Sequence, residues 1–400
     1  MKNALVLGGG GSKGSYQVGA IKALKEFNVN FDYVAGTSIG ALNGCLVVQN
    51  DYEYMYHLWD NISIKDIIIG DFDKDFAIEN IISNIDEVKN IYIQLRKNKV
   101  DISPFISLVN RSFDIKKFSN SKIKYEAIAT ALPRFSQASF NNNDMIKLGT
   151  ECLLASSACF PAFPIAKINN NHYIDGGYTD NLPITAILKY NPDNIYVIDI
   201  DYTVTHKSFK KVSNVTYIHP KESIGSIFNF DREKIKKNIQ LGYNDVYKYY
   251  GKYKGFKYTF LPYKCHNTIN DIYSIFLNFG YELIEFYANE LDIVYTKEDI
   301  FYKSLDDLLN IMNFKSELVY DVNTIIDDIH YAFKYHINTK ENINYKDYAD
   351  AFIKQVIHSS DLESLILLVN INYNNKGSDS IIKDIRLKYL AKVIVYLINR

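Results

Sequence analysis

The chain has 400 residues, 47% of them hydrophobic and 23% charged, and a formal net charge of −1. That is ordinary globular composition, which excludes a disordered chain and gives no sign of a dedicated nucleic-acid binder. A chain this long exceeds the size at which one core usually keeps growing, so two packed regions are expected. Ala4 to Leu7 reads as a short buried strand running into glycines, and the segment from Ser15 to Glu26 carries Val18, Ile21 and Leu24 at helical spacing. Tyr33 to Ala35 is a second strand, Gly36 to Gly40 a tight turn, and Ala41 to Gln49 a small-residue apolar helix. Residues 53–120 read as a helical insertion, broken near Gly70 and at Ser103-Pro104. Tyr125 to Ala131, Asn194 to Ile200 and Val215 to Ile218 are further strands, while Glu151 to Cys159 and Ile184 to Lys189 look helical.

This alternation predicts an α/β three-layer fold with a central, mostly parallel sheet flanked by helices. The sheet domain is expected over 1–220, and a mainly helical C-terminal region with no assigned role over 221–400. From Asp271 onward Ile, Leu, Phe and Tyr recur at three- and four-residue steps, and no proline follows Pro262. Cys45, Cys152, Cys159 and Cys265 form no CxxC pair and no metal spacing, which fits reduced thiols and a cytoplasmic protein. Neither a metal nor a cofactor is expected. The N-terminal apolar run is too short for a signal peptide, and no stretch reaches the roughly 18 apolar residues of a spanning helix. Lipid contact is therefore expected from the surface.

Gly8-Gly9-Gly10-Gly11-Ser12-Lys13-Gly14 follows a strand directly. As a phosphate-binding loop it has the wrong order, Lys13-Gly14-Ser15 in place of Gly-Lys-Ser/Thr. As a dinucleotide fingerprint it matches GxGxxG at Gly9, Gly11 and Gly14, with Asp32 at the right distance for a ribose but before the second strand instead of after it. As an oxyanion hole it offers successive backbone amides beside a helix N-terminus.

Gly36-Thr37-Ser38-Ile39-Gly40 is GxSxG at a strand-to-helix junction, where small neighbours let a serine stand exposed on a sharp turn. A chance match in a chain of this glycine content is expected only about 0.06 times. A serine nucleophile needs a base. His172, His206 and His219 lie near strands or loops and leave a conventional triad open, but Tyr173-Ile174-Asp175-Gly176-Gly177 marks an acid more clearly. By itself that stretch reads first as a hairpin turn.

Taken together, Gly9 to Gly14, Gly36 to Gly40 and Asp175 to Gly177 make residues 4–220 resemble the patatin-like phospholipases, of the bacterial type. The resemblance extends to Ala155-Ser156-Ser157-Ala158-Cys159-Phe160-Pro161 and to Asp175 through Pro183. It implies a Ser38–Asp175 catalytic dyad, with Ser38 attacking an acyl carbonyl and Asp175 taking its proton. It further implies an oxyanion hole at Gly9, Gly10, Gly11 and Gly14, motif glycines at Gly36, Gly40, Gly176 and Gly177, and a basic position at Lys13. The expected function is a serine lipid acyl hydrolase of the phospholipase A or lysophospholipase type, working through an acyl-enzyme on a lipid acyl ester. Two alternatives stay open: an acyltransferase on the same dyad, and a nucleotide-binding protein using Gly9 to Gly14.

Phe160-Pro161-Ala162-Phe163-Pro164 is either one wall of an acyl channel or a core loop. Residues 206–257 hold 12 Lys or Arg against 4 Asp or Glu, and residues 266–400 hold 13 against 20. The basic segment 207–257 is either a solvated face or a contact for an anionic membrane, worth about 1 kcal/mol per well-placed charge. No nucleic acid is expected there, and the sequence assigns no oligomeric state.

Overall fold

Strand β1 (Asn3–Leu7) is apolar and buried from Ala4 onward because parallel neighbours flank it on both sides, β2 (Tyr33–Thr37) and β7 (Asn194–Ile198). Burial on both faces is the condition under which a strand reads as a continuous apolar run. In the computed structural model, residues 1–69, 101–203, 208–209, 212–291, 295–338, 361–374 and 382–400 are described. They fall into two compact units, Met1–Tyr249 and Tyr250–Arg400.

In the first unit β3 (Lys124–Leu132), β4 (Ser136–Asn141), β5 (Ala166–Ile168), β6 (Asn171–Asp175) and β8 (Val215–Ile218) complete an eight-stranded sheet of order β5-β6-β3-β2-β1-β7-β8, with β4 paired to β3. The run β3-β2-β1-β7-β8 is parallel, as expected, and β4, β5 and β6 add antiparallel pairings. Because β4 occupies one edge of β3 over Glu126 to Ala131, β2 and β6 must share the other. They do so in tandem: Thr37 of β2 pairs with Ile128, and Asp175 of β6 pairs with the next residue, Ala129. This succession delivers the end of β6 to the end of β2.

Helix α1 (Gly14–Glu26) leaves the glycine loop and is buried along most of its length. Helix α2 (Ile39–Val48) is buried at every position from Gly40 to Val48. Of the expected insertion, α3 (Tyr52–Asn61), α4 (Ser103–Ser112) and α5 (Ile115–Asn120) are helical, and Pro104 sits in the first turn of α4, where its missing N–H is tolerated. The expected break at Gly70 lies outside the described residues. Beyond β4 come α6 (Asn142–Leu148), α7 (Thr150–Ser156) and α8 (Ile184–Leu188), and α9 (Arg232–Tyr249) closes the unit against α1. Two glycines allow that contact: a Cβ on Gly19 would lie 1.7 Å from the Ile239 carbonyl oxygen, and one on Gly242 2.0 Å from that of Tyr16.

Several boundaries move. The second strand runs to Thr37 and α2 begins at Ile39, so the expected five-residue turn shrinks to Ser38. The helix expected to reach Cys159 stops at Ser156, short of Pro161, and the strand expected to reach Ile200 stops at Ile198. Strands β4 and β5 lack an apolar signature because most of their residues are exposed or half-buried.

The second unit contains α10 (His266–Asn278), α11 (Tyr281–Leu291), α12 (Lys297–Ile311), α13 (Val322–Asn338), α14 (Asp361–Asn374) and α15 (Ile385–Ile398), with a short parallel pair β9 (Thr259–Phe260) and β10 (Val319–Tyr320). Its core is aromatic: Phe276, Tyr287 and Tyr389 meet edge to face, with ring centroids 5.6–5.9 Å apart. The buried Asp306 carboxylate accepts the backbone N–H groups of Lys257 and Tyr258 at 3.1 and 2.7 Å, fixing the loop ahead of β9.

Candidate active site

Ser38 is the single residue between β2 and α2, with φ +54° and ψ −123°. A non-glycine residue held there is strained by about 1–3 kcal/mol and persists only where its surroundings enforce it. Here they do. A Cβ on Gly36 would come within 2.3 Å of the Gly40 carbonyl oxygen, and one on Gly40 within 2.3 Å of that of Leu7, so the turn closes only with glycine at both positions. The Ser38 N–H donates to Ser156 Oγ at 2.9 Å, Ser156 Oγ donates to the Ile128 carbonyl at 2.6 Å, and Thr37 Oγ1 donates to the Asp180 carbonyl at 2.8 Å. The sharp turn is thus tied to β3 and to the loop after β6.

Asp175 ends β6 and lines the same cavity as Ser38. Its N–H donates to the Ala158 carbonyl at 2.8 Å, its own carbonyl accepts Thr130 Oγ1 at 2.9 Å, and its Oδ1 accepts the Gly177 N–H at 2.8 Å. Gly176–Tyr178 is a single 3-10 turn capped by that carboxylate, so the Asp-Gly-Gly stretch makes no hairpin. Asp175 is only 5% exposed. Burial pushes its carboxyl from an ordinary 3.8 up to about 6, while the hydrogen bonds from Ser38 and Gly177 pull the other way.

The glycine loop passes over the same spot. Gly9, Gly10 and Gly11 line one cavity with Ser38 and Asp175. The Gly9 N–H donates to the Asn181 carbonyl at 3.1 Å, and that of Gly14 bonds back into the loop. Among the described residues, the Gly10 and Gly11 amides donate to no other loop carbonyl. Gly11 has φ +55°, and a Cβ there would lie 2.2 Å from the Ile227 carbonyl oxygen. Lys13 Nζ stands 3.2 Å from Asp201 Oδ1 at the cavity wall.

The cavity has a volume of about 240 Å³ and is mostly apolar. Its walls come from α2 (Leu42, Leu46), α3 (Leu58, Trp59) and α4 (Phe105, Leu108), together with Phe163, which packs between Phe105 and Phe228 at ring-centroid distances of 5.2 and 6.0 Å. Of the Phe160–Pro164 segment, therefore, Phe163 is a cavity wall. The α2, α3 and α4 residues carried no functional signal in the sequence, and Asn181 and the paired serines 156 and 157 carried none beyond the family likeness of their stretches.

Other candidates are not brought together. His172 is exposed on β6, His219 is held by the Pro220 carbonyl and Lys221, and His206 lies outside the described residues. No histidine is among the described residues lining the cavity. Asp32 accepts the Asn3 N–H at 2.9 Å and its carbonyl accepts that of Lys124, which puts it at the N-terminal edge of the sheet. The glycine loop leaves the opposite edge, so Asp32 cannot meet a ribose held there. Within the basic segment, Lys207, Lys210 and Lys211 lie outside the described residues, while Lys236, Lys237 and Lys248 form ion pairs with Glu233, Glu222 and Asp245. Among the described residues no helix is long and apolar enough to cross a membrane.

Residues 5–188 match the family model of the patatin-like phospholipases. Among curated proteins, lysophospholipase NTE1 of Kluyveromyces lactis is 24% identical over 204 residues, covering 49% of this chain and 12% of that protein. Patatin-like phospholipase domain-containing protein 7 of Rattus norvegicus is 25% identical over 198 residues, covering 49% of this chain and 13% of its own length. The match thus takes in about an eighth of each of these relatives. Among solved structures, VipD from Legionella pneumophila aligns with 100% of this chain and 91% of its own at 11% identity and a TM-score of 0.37. Residues 5–188, just under half of the chain, are thus similar to the patatin-like phospholipases.

Proposed function

We propose that the chain is a carboxylic ester hydrolase that cleaves fatty acyl esters of lipids, lysophospholipids and phospholipids first, through a Ser38–Asp175 dyad. The observation that carries this reading is the strained Ser38 sharing one apolar cavity with the buried Asp175 carboxylate. The names of the curated relatives, lysophospholipase and patatin-like phospholipase, support the substrate class.

Ionised Asp175 accepts the hydroxyl proton as Ser38 Oγ attacks the acyl carbonyl carbon. The developing oxyanion is received by the amides of Gly10 and Gly11, with Gly9 and Gly14 shaping the loop that aims them. The intermediate collapses, the bond to the alcohol oxygen breaks, and Asp175 returns the proton to that oxygen. Water then attacks the acyl-enzyme and gives a proton to Asp175, which passes it to Ser38 Oγ as the fatty acid leaves. A carboxylate of ordinary pKa is a weak base, and the upward push on Asp175 brings it closer to the working pH. An alcohol in place of water would make the same site an acyltransferase.

We assign the basic segment to peripheral contact with anionic lipid, and the four unpaired cysteines suit the reducing cytoplasm. The activity is tested by incubating the purified chain with a panel of lysophospholipids and phospholipids and quantifying released fatty acid. Release by the wild type and its loss, by at least about 10³-fold, in Ser38→Ala is the expected result. Binding of NAD with no fatty acid released would favour the nucleotide reading instead.

A further inference from the structure

The hairpin between β3 and β4 turns on Pro133, Arg134 and Phe135, all three exposed. Three-residue hairpin loops commonly close with a residue in the left-handed region, a conformation that favours glycine. Here Phe135 holds it, with φ +54°. A bulky aromatic at positive φ is a strained outlier, and such strain points to a function that repays it. Core packing is not that function, because Phe135 is 54% exposed. What it does touch is Tyr178, edge to face with ring centroids 6.2 Å apart, and Tyr178 lines the cavity of Ser38 and Asp175.

The sheet carries this tip past the site. Strand β2 ends at Thr37 opposite Ile128, with Ser38 next, whereas β3 runs on to Leu132. At about 3.3 Å per residue, β3 reaches roughly 13 Å beyond the level at which the chain leaves β2 for Ser38. Charge around the tip has one sign. Residues 131–143 and 160–174, which supply the tip, β4, β5 and most of β6, hold Arg134, Lys167 and His172 and no Asp or Glu. Lys167 pairs with His172 and His172 with Leu132 across the strands, and both basic residues are exposed. Unlike Lys236, Lys237 and Lys248, neither Arg134 nor Lys167 forms an ion pair among the described residues.

On the hydrolase reading above, we propose that the 133–135 tip docks the chain on an anionic lipid surface. Phe135 enters among the acyl chains, Arg134 and Lys167 meet the headgroups, and a lipid's acyl chain passes into the cavity beside Tyr178. An exposed ring set against the wall of an apolar cavity offers that chain an apolar path out of the bilayer, and unpaired basic side chains match an anionic headgroup layer. One apolar anchor attaches only marginally, so the two signals act together. Phe135 takes no part in the bond chemistry at Ser38.

The test compares the full chain with Phe135→Gly and Phe135→Trp on equimolar phosphatidylcholine–phosphatidylserine vesicles doped with lysophosphatidylcholine, and on p-nitrophenyl butyrate in solution. In Phe135→Gly, vesicle binding and fatty acid release from the vesicles should each fall on the order of 10-fold. Turnover of the soluble ester should be unchanged, and the melting temperature level or higher, since glycine suits the backbone at that position. Phe135→Trp should keep vesicle binding, and its emission should shift to the blue when vesicles are added, beyond any change from the native Trp59. Vesicle binding and release at the wild-type level in Phe135→Gly overturn the proposal, as does an unshifted Trp emission. A parallel loss on the soluble ester also overturns it, since that marks a structural role at the site. A wild type that dimerises through the tip, becomes monomeric in Phe135→Gly and ignores vesicles overturns it in favour of a second copy of the chain. Vesicle binding with the blue shift, by a chain that hydrolyses no ester, supports the docking surface and overturns the hydrolase reading.

Discussion

Asp175 is pulled in two directions, and both are measurable. The proposed role as base requires it ionised, so kcat/KM should fall on the acid side with an apparent pKa near the value of about 6 set by its burial. A pH–rate profile on a soluble ester checks this, and an acid limb centred near 4 would contradict it. The same shift bears on stability. A carboxyl whose folded value lies above its unfolded value stabilises the fold fully below the unfolded value and loses that contribution as pH rises through the folded one. Between roughly pH 4 and 6 the wild type should therefore lose on the order of 3 kcal/mol. Asp175→Asn should abolish turnover yet melt higher than wild type at pH 8, with the advantage gone below pH 4. Thermal melts at the two pH values decide it.

At the scale of elements, the site depends on the tandem placement of β2 and β6 on one edge of β3, which puts Thr37 and Asp175 opposite consecutive residues. No periodicity in the sequence announces that pairing. Ser38, the glycine loop and Asp175 were legible because each is a local motif at a strand end. The role of Ser156 in holding the elbow, and the walls supplied by α2, α3 and α4, arise from residues dozens of positions apart and were not. Strands β4 and β5 were missed for a different reason: their exposed faces break the apolar pattern. The walls carry a prediction of their own. Phe105 is 6% exposed and closes the cavity against Phe163, so Phe105→Ala should shift the preferred acyl chain to greater length, read as the ratio of kcat/KM values along a series of chain lengths. The α1–α9 contact carries another: Gly242→Val, which forces a Cβ into the Tyr16 carbonyl, should lower the melting temperature by several degrees in a calorimetric scan.

For the whole molecule, the net charge of −1 conceals an excess of +8 over residues 206–257 and of −7 over 266–400. Ion pairs on α9 and at Glu222 already offset part of the basic segment, so contact with an anionic surface should be modest and salt-sensitive. Co-sedimentation with phosphatidylserine vesicles should show binding that weakens as salt rises from about 50 to 300 mM and is absent with phosphatidylcholine alone. Salt-independent binding would point to apolar insertion instead. What unites the scales is the proposed nucleophile, the Ser38 hydroxyl, held on a strained turn in one cavity with a buried carboxylate and the glycine loop. The most direct test is therefore covalent: react the purified chain with a fluorophosphonate, digest it, and map the modified peptide by mass spectrometry. A single adduct on Ser38, absent in Ser38→Ala and strongly slowed in Asp175→Asn, is the predicted result; a folded wild type that stays unmodified, or an adduct on another residue, would contradict the account.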